Sequence, residues 1–221
     1  NHQPMKVWIV LAALNEEKRI KAVLEKTKQH ETNIILVDDA SQDSTYEIAK
    51  SLGAKVLRHA INLGKGAAVR TGCDFAFSNG ADAVILMDSD GQHDPNEIPH
   101  FKKELLKDSQ IVFGVRKFDE NMPPVSKFGN WFLTTATKIL FKIKIQDTQG
   151  GYRAITKKAY KKIKWKSNGY AMETEMIAKA GKTNLKYTQI PIKTIYLEKY
   201  KGTTPWHGIK IFINMLLWRI Q

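Results

Sequence analysis

The chain has 221 residues, of which 43% are hydrophobic and 26% are charged. This is an ordinary globular composition, and the length suits one domain with a sizeable core. The single cysteine, Cys73, excludes an internal disulfide and indicates a reducing compartment. No stretch reaches the roughly 20 apolar residues that a membrane-spanning helix needs.

A net charge of +13 favours anionic partners, namely nucleic acid, phosphorylated ligands or an anionic membrane surface. The densest basic run consists of the lysines at positions 157, 158, 161, 162, 164 and 166. Two interpretations of this run stay open: a solvated helix face, and a patch that faces lipid.

From the amino terminus, short apolar runs alternate with helical patterns. Strands are expected at 6–12, 33–37, 54–58, 83–87 and 110–115. Helices are expected at 15–30, 44–52, 66–78 and 95–106, with Asp94 capping the last of them. This alternation predicts a mostly parallel sheet with helices on both faces. After residue 116 it ends, and we expect a mobile loop at 117–125 and one further strand at 185–195.

Polar and acidic residues stand where the predicted strands end. Because parallel α/β sheets bind ligands at the carboxyl ends of their strands, we expect these residues to converge on one rim. They are Asn15 and Glu16 after the first strand, Asp38 and Asp39 after the second, Asp88 and Asp90 after the fourth, and Arg116 after the fifth.

The segment from Asp88 to Asp94 carries the strongest chemical signal. Asp88 and Asp90 lie two residues apart after a buried strand, so an extended backbone points both to one side, and Gln92 continues the series. Hard cations such as Mg²⁺ or Mn²⁺ prefer oxygen ligands of this kind. We therefore predict a divalent metal site, the alternative being an acidic turn that only caps the next helix.

Two further segments carry groups suited to a phosphorylated ligand. Residues 62–72 combine small residues with Lys65 and Arg70, but they match neither a Walker A loop nor the dinucleotide GxGxxG motif, and tight packing of a helix start is the competing explanation. Residues 146–153 end in Arg153, which together with Arg116 is a candidate for a bidentate phosphate contact.

Two carboxylates downstream, Glu173 and Glu175, allow two interpretations of equal weight. They either face a bound ligand or act as a base, or they are surface carboxylates of a helix.

Two segments, 128–144 and 206–220, are apolar with a narrow polar side. Helices of this kind need a partner surface, which is either the core of the protein or a membrane interface. For a membrane, the expected anchors are Trp206, Lys210, Trp218 and Arg219. We therefore divide the chain into a main domain, 5–204, and an amphipathic helix, 205–221.

Seven motifs follow one another along the chain: ALNEE (13–17), VDDASQDST (37–45), NLGKGAAVRTG (62–72), DSDGQHDP (88–95), GVR (114–116), DTQGGYRA (147–154) and GYAMETEM (169–176). In this order they resemble the family 2 glycosyltransferases of the GT-A fold, most of all the dolichyl-phosphate mannose and glucose synthases. The resemblance covers the chain from Lys6 to about Thr204. It implies an α/β fold with a Rossmann-like, mostly parallel central sheet flanked by helices, and C-terminal amphipathic helices.

The resemblance also implies a role for each part of the rim. The nucleotide site would consist of Ala12, Leu14, Glu16, Asp39, Lys65, Asp88 and Ser89. The metal, Mg²⁺ or Mn²⁺, would be held by Asp88, Asp90 and Gln92, and the acceptor phosphate by Arg116, Lys127 and Arg153. The predicted catalytic residues are Asp90, Arg116, Glu173 and Glu175.

The implied reaction is the inverting, metal-dependent transfer of one sugar from a UDP- or GDP-sugar to a polyprenyl (dolichyl) phosphate. It would take place at the cytoplasmic face of a membrane, with the loop at 117–125 closing over the donor. The QxxRW motif of processive enzymes is absent, which favours transfer of a single sugar. Two departures, Ala12 in place of the usual Pro and the sequence at 199–204, leave the donor sugar and the acceptor open.

Three other functions are alternatives to this one. A family 2 enzyme with a hydroxyl acceptor would need Glu173 or Glu175 as its base. A nucleotidyltransferase would show a GxGTR-type loop after the first strand, and residues 11–17 contain none. A nucleic-acid-binding module would explain the charge, but no DNA or RNA motif is found and the aromatic residues are not interleaved with the lysine run, so no nucleic acid partner is expected.

Overall fold

A seven-stranded sheet lies at the centre of the computed structural model, which describes residues 5–116, 124–193, 195 and 205–220. The strands are β1 (Val7–Ala13), β2 (Ile34–Asp38), β3 (Lys55–Arg58), β4 (Ala83–Asp88), β5 (Ile111–Arg116), β6 (Arg153–Thr156) and β7 (Tyr187–Ile192). Their order across the sheet is β3-β2-β1-β4-β6-β5-β7.

The helices of the described residues alternate with these strands. They are α1 (Ile20–Lys28), α2 (Thr45–Ser51), α3 (Lys65–Ser78), α4 (Ile98–Leu106), α5 (Pro124–Phe141), α6 (Lys157–Ile163), α7 (Met172–Lys182) and α8 (Pro205–Ile220), with a short 3₁₀ turn at Pro95–Glu97 before α4. Asp94 caps that turn as predicted, because its carboxylate accepts a hydrogen bond from the Asn96 amide at 3.0 Å.

The sheet is parallel except at β6, which runs antiparallel to both β4 and β5. The mostly parallel α/β sheet expected from the alternation of strands and helices is thus confirmed. The sequence did not indicate β6, because four residues between a glycine pair and a helix carry no usable period. Through β6, Arg153 comes to lie between Leu86 of β4 and Phe113 of β5.

Each face of the sheet carries its own hydrophobic core, since successive side chains of a strand point to opposite faces. In β1, Ile9 and Leu11 pack into the core shared with α1, α2 and α4. Val10 packs into the second core, to which α3, α5, α6, α7 and α8 contribute. The strands are therefore buried on both sides and read as continuous apolar runs.

The two predicted amphipathic segments form α5 and α8, which pack against each other and against α7. Ile211 and Met215 of α8 are fully buried in the second core, so one side of this helix belongs to the main hydrophobic body. Among the described residues, no helix has the length and apolarity to cross a bilayer.

Helix α1 begins at Ile20, five residues later than the sequence pattern predicts. The preceding residues instead bind the loop that follows β2. Asn15, whose φ of 56° is left-handed, accepts a hydrogen bond from the Gln42 amide and donates its own amide to Ser41. Side-chain and backbone bonds to a distant loop therefore replace the first helical turn.

Helix α3 approaches the sheet so closely that residue 72 has no room for a side chain. A Cβ at Gly72 would lie 2.5 Å from Val10 Cγ1 and 3.2 Å from Val37 Cγ2. We expect Gly72→Ala to lower the free energy of unfolding by roughly 1–3 kcal/mol, because overpacking outweighs the better helix propensity of alanine.

Gly129→Ala is the matched control, because Gly129 also lies within a helix and a Cβ there meets nothing within 4 Å. This variant is expected to raise the free energy of unfolding by up to about 1 kcal/mol. Urea unfolding of both variants tests the difference, and equal effects would contradict the close packing of α3.

Candidate active site

The crevice between the carboxyl ends of β1 and β4 is the natural ligand site of this sheet. The chain order reverses here, because β2 and β3 lie on one side of β1 and β4 lies on the other. Ala12 pairs with Asp88 across the two strands, and the Ser89 hydroxyl donates to the Ala12 carbonyl at 2.6 Å. The structure thus joins three of the predicted nucleotide-site residues.

The turn after β4 presents the predicted metal ligands. Gly91 has a φ of 79°, which reverses the chain, and the Asp90 carboxylate accepts a hydrogen bond from the Gln92 amide at 3.0 Å. The Asp88 amide donates to His93 Nδ1 at 2.9 Å. The imidazole proton of neutral His93 therefore sits on Nε2, which faces Asp88 Oδ2 at 3.7 Å.

His93 is buried and stacks on the ring of Tyr152, with centroids 4.7 Å apart. Burial lowers the pKa of His93 and outweighs the opposing effect of the Asp88 carboxylate. The imidazole is thus neutral at physiological pH and supports the strand end without adding charge. The sequence motif contains His93 but gave no reason to assign it this role.

The ammonium of Lys65 lies between two carboxylates of the crevice. Its Nζ is 2.7 Å from Asp88 Oδ1 and 3.1 Å from Glu173 Oε1. Burial alone would raise the pKa of Asp88, but the neighbouring Lys65 outweighs it and holds the value at about 2. The same carboxylates raise the pKa of Lys65 against its own burial, so the ammonium stays charged.

Lys65 is the first residue of α3, and its position depends on the loop at 165–168. Gly64 has a φ of 93°, and a Cβ there would lie 2.5 Å from the Asn168 carbonyl oxygen. The Trp165 indole donates to the Gly66 carbonyl at 2.8 Å, and Arg70 donates to the Asn168 side chain at 2.9 Å. The start of α3 is therefore clamped onto this loop.

Glu175, one of the predicted catalytic residues, is committed to protein partners in this structure, and its part in catalysis stays a prediction. The residue is 2% exposed. Its carboxylate accepts hydrogen bonds from the Lys166 amide and from the amide and the hydroxyl of Ser167, at 2.6–2.9 Å. Lys179 completes an ion pair at 2.8 Å. These partners keep the pKa of Glu175 below its usual range although burial alone would raise it. Glu175 thus holds the loop at 165–168 that positions α3.

Asp39 lies at the end of β2 and is also committed to protein partners. It accepts hydrogen bonds from the amides of Leu63 and Gly64 at 2.9 and 2.8 Å, and lies 2.7 Å from His59 Nδ1. Its neighbour Asp38 is fully buried and lies 3.0 Å from Arg58 Nε. Asp39 thereby fixes the turn before Lys65, and its contact with a nucleoside stays a prediction.

The remaining predicted nucleotide residues lie on the loop after β1. Leu14 is 41% exposed, and the Glu16 amide donates to the Thr45 hydroxyl at 2.7 Å. The Glu16 carboxylate lies 3.1 Å from Arg19. The structure thus places these residues next to Ala12 on the β1 side of the crevice.

Arg116 is the last residue of β5 and forms a bidentate ion pair with Asp147. Its Nε lies 2.6 Å from Asp147 Oδ2, and its Nη2 lies 2.9 Å from Oδ1. Burial would raise the pKa of Asp147, but Arg116 outweighs it and the pKa is lowered. The sequence motif includes Asp147 without indicating this pairing, which fixes the orientation of the guanidinium.

Arg153, predicted to hold the acceptor phosphate, is committed to backbone carbonyls in this structure, and its contact with a phosphate stays a prediction. Arg153 is 1% exposed, and its guanidinium donates to the backbone carbonyls of Gly150, Glu173 and Thr148 at 2.8, 2.6 and 3.1 Å. Burial lowers its pKa to about 10, so it remains a cation. Arg153 ties the segment before β6 to the start of α7.

The third predicted acceptor residue, Lys127, belongs to α5, but its side chain lies outside the described part of the chain. Residues 117–123 of the predicted closing loop lie outside it as well.

The side-chain oxygens in the turn after β4 are of the kind that binds a hard divalent cation. Residues 5–116, 124–193, 195 and 205–220 contain no group of three or more His, Cys, Asp or Glu side chains arranged around a metal. Asp88, Asp90 and Gln92 instead offer two carboxylates and one amide oxygen. Mg²⁺ is commonly bound in this way, by one or two carboxylates with substrate phosphates completing its shell. Asp88 already holds a cation, the Lys65 ammonium, at 2.7 Å.

Several known proteins are similar to this chain in sequence or in structure. The UDP-N-acetylglucosamine–dolichyl-phosphate N-acetylglucosaminyltransferase of Methanococcus voltae is 36% identical over 96% of this chain and 95% of its own length. The undecaprenyl-phosphate mannosyltransferase of Micrococcus luteus is 25% identical over 92% of this chain and 88% of its own. Glucosyl-3-phosphoglycerate synthase of Mycobacterium tuberculosis, solved with Mg²⁺ and UDP, superimposes with a TM-score of 0.76 at 20% identity, covering 97% of this chain and 79% of its own.

The structural likeness confirms the GT-A fold, and the sequence comparison identifies the family. The family model described as "Glycosyl transferase family 2" matches residues 8–164, which run from the second residue of β1 to beyond β6 and include every predicted site residue except Glu173 and Glu175. The chain therefore belongs to glycosyl transferase family 2 and is a glycosyltransferase.

Proposed function

We propose that this enzyme transfers a single sugar, with inversion, from a nucleotide-sugar to a polyprenyl phosphate at the surface of a membrane. The observation that carries the proposal is that both carboxylates predicted as bases already bind protein groups. The Glu175 carboxylate accepts hydrogen bonds from the loop at 165–168, and Glu173 is 3% exposed and paired with Lys65. A hydroxyl acceptor would require a base, whereas a phosphate monoester is already ionised near neutral pH, since its second pKa is about 6.

The relatives support the same acceptor. The named substrates of the Methanococcus voltae and Micrococcus luteus proteins are dolichyl phosphate and undecaprenyl phosphate, both of which are polyprenyl phosphates. For the donor, the Methanococcus voltae name and the UDP complex of the structural neighbour favour UDP over GDP.

The crevice supplies positive charge where a diphosphate would leave. Arg116 is held by Asp147 in a fixed orientation, and a preorganised guanidinium stabilises developing phosphate charge without reorganisation. We assign Asp88, Asp90 and Gln92 as the ligands of Mg²⁺ or Mn²⁺, which when bound supplies charge neutralisation on the departing nucleoside diphosphate. Ala12, Leu14, Glu16 and Asp39 would surround the nucleoside, at the carboxyl ends of β1 and β2.

The proposed membrane contact is an apolar face formed by two helices. It consists of Phe128, Trp131 and Ile139 on α5 and Ile209, Ile213, Leu217 and Ile220 on α8, each at least half exposed. The helices are in direct contact, because the rings of Phe132 and Phe212 lie 5.0 Å apart. Side chains of this kind are rarely exposed together on a free surface.

Charge complementarity favours an anionic bilayer as the partner of this apolar face. Lys138, Lys210 and Arg219 are exposed on the same two helices, and the whole chain carries a net charge of +13. A helix with an apolar side and basic neighbours binds in the headgroup region of anionic membranes. The proposal places the enzyme on the cytoplasmic face, a compartment that suits an unpaired cysteine.

A transfer assay tests the function directly. Purified protein is incubated with a panel of UDP- and GDP-sugars, polyprenyl phosphate and Mg²⁺ or Mn²⁺. One donor is expected to give a lipid-linked product, and Asp90→Asn is expected to reduce the rate at least about 100-fold, because transition-state charge stabilisation is lost. The control is Asp108→Asn, the same substitution at an exposed carboxylate that pairs only with Lys186 among the described contacts.

Two results would contradict the proposal. Transfer to a hydroxyl acceptor with none to polyprenyl phosphate would exclude the lipid acceptor. A rate that is independent of divalent cations and unaffected by Asp90→Asn would exclude the metal site.

Membrane binding is tested by sedimentation with lipid vesicles. We expect the double substitution Ile139→Ser and Ile213→Ser to weaken binding to anionic vesicles roughly 10- to 100-fold, because each isoleucine contributes about 1 kcal/mol or more when its exposed part is buried in lipid. Leu106→Ser is the control, since Leu106 is 72% exposed but lies on α4, across the sheet from α5 and α8. Equal binding of all variants would rule out the apolar face as the docking surface.

A further inference from the structure

We propose that Lys65 competes with the divalent cation for Asp88 and that Glu173 is the alternative partner that takes Lys65 when the cation binds. The inference rests on the proposed metal-dependent function and assigns two further residues that set the affinity for the metal. Both act on the metal through Asp88, so they are positioning residues.

The first observation is that Lys65 uses a carboxylate that the metal also needs. Its Nζ lies 2.7 Å from Asp88 Oδ1, closer than it lies to Glu173. A divalent cation bound by Asp88 would place two positive charges within a few ångströms of the ammonium. Two like charges at such a separation repel strongly even at an effective dielectric constant near 20. The ammonium and the cation therefore cannot share Asp88 in this geometry without a cost in affinity.

The second observation is that one carboxylate oxygen of Glu173, the other ion-pair partner of Lys65, accepts no hydrogen bond among the described residues. Glu173 is 3% exposed, and its Oε2 has no hydrogen-bond partner among the described residues. An unpaired oxygen of a buried carboxylate is costly and persists in a native structure only with a compensating reason. Two N–H groups of Lys65 shifted toward Glu173 would satisfy both of its oxygens.

The third observation is that residue 151 has no side chain to crowd the ammonium. Residue 151 is a glycine, and a Cβ at that position would lie 3.1 Å from Lys65 Nζ and 3.2 Å from Asp88 Oδ2. The backbone of Lys65 is fixed by the loop at 165–168, whereas its side chain carries four rotatable bonds and ends between the two carboxylates. The ring of Tyr170, 5.9 Å from Nζ, covers the ammonium from another side.

Three variants test the competition through Mn²⁺ affinity, measured by calorimetry or by the electron paramagnetic resonance of free Mn²⁺, without nucleotide and with UDP. Lys65→Met is expected to bind Mn²⁺ at least about 10-fold more tightly than the unaltered protein, because the competing charge is gone. Glu173→Gln is expected to bind it about 10-fold more weakly, because Asp88 is then the remaining anionic partner of Lys65 among the described residues.

The double variant Lys65→Met/Glu173→Gln separates competition from a simple charge effect. If Glu173 acts through Lys65, the Glu173→Gln substitution has no effect in the Lys65→Met background, and the double variant binds Mn²⁺ as tightly as Lys65→Met alone. If Glu173 merely attracts the metal, its substitution weakens binding by the same factor in both backgrounds. The double variant also replaces the buried ion pair by two neutral side chains, so it is the safer one to fold, and its thermal unfolding is measured alongside.

The outcomes for the two proposals differ. Additive effects, or equal Mn²⁺ affinity of Lys65→Met and the unaltered protein, would overturn the role of Lys65 and leave metal-dependent transfer intact. No Mn²⁺ binding by any variant, with or without UDP, would overturn both. The expected coupling together with an absence of sugar transfer would support the competition and refute only the proposed reaction.

Discussion

The ion pairs of buried carboxylates hold the rim of this enzyme together. Glu173 and Asp147 are almost completely removed from solvent, and they form ion pairs with Lys65 and Arg116, respectively. Breaking a buried pair by removing one partner costs about 3–5 kcal/mol, because the other charge stays behind uncompensated. The carboxylates therefore keep both cations at the rim, Lys65 at the start of α3 and Arg116 at the end of β5. A positive group that is oriented before the substrate arrives, as Arg116 is by Asp147, stabilises leaving-group charge most effectively.

The same logic links the two halves of the chain. Glu175, from the first turn of α7, holds the loop at 165–168, and this loop in turn receives the start of α3 through Trp165. The first residue of α3 is Lys65. Glu175, a predicted catalytic residue, thus controls the position of Lys65, which lies about 110 residues earlier in the chain. We therefore expect a substitution of Glu175 to affect the reaction through the position of Lys65.

How far the sequence leads depends on the range of the interaction concerned. Apolar runs and capping residues act over a few positions, so the features that depend on them were predictable from the sequence. These are the five strands up to residue 116, the strand ends at Asp38, Asp88 and Arg116, and the cap at Asp94. The partners of Arg153, Glu173 and Asp147 were not, since they depend on how β6 and α7 approach the rim. Arg153 in particular has the chemistry of a phosphate ligand, and only its burial among three carbonyls assigns it to the scaffold.

Helix α7 connects the chemistry of the rim to the apolar face. Its first turn carries Glu173, beside Lys65 and Asp88, and its other turns pack against both α5 and α8. A lipid acceptor has two unlike parts, an ionised phosphate and a long apolar chain, and an enzyme for it needs a cationic crevice and an apolar surface in a fixed relation. Here one helix contacts both the crevice and the two helices that carry the apolar face. An enzyme for a small, soluble hydroxyl acceptor would not need the exposed isoleucines of α8. It would need a free base, whereas Glu173 pairs with Lys65 and Glu175 binds the loop at 165–168. The two features together favour the lipid phosphate as the acceptor.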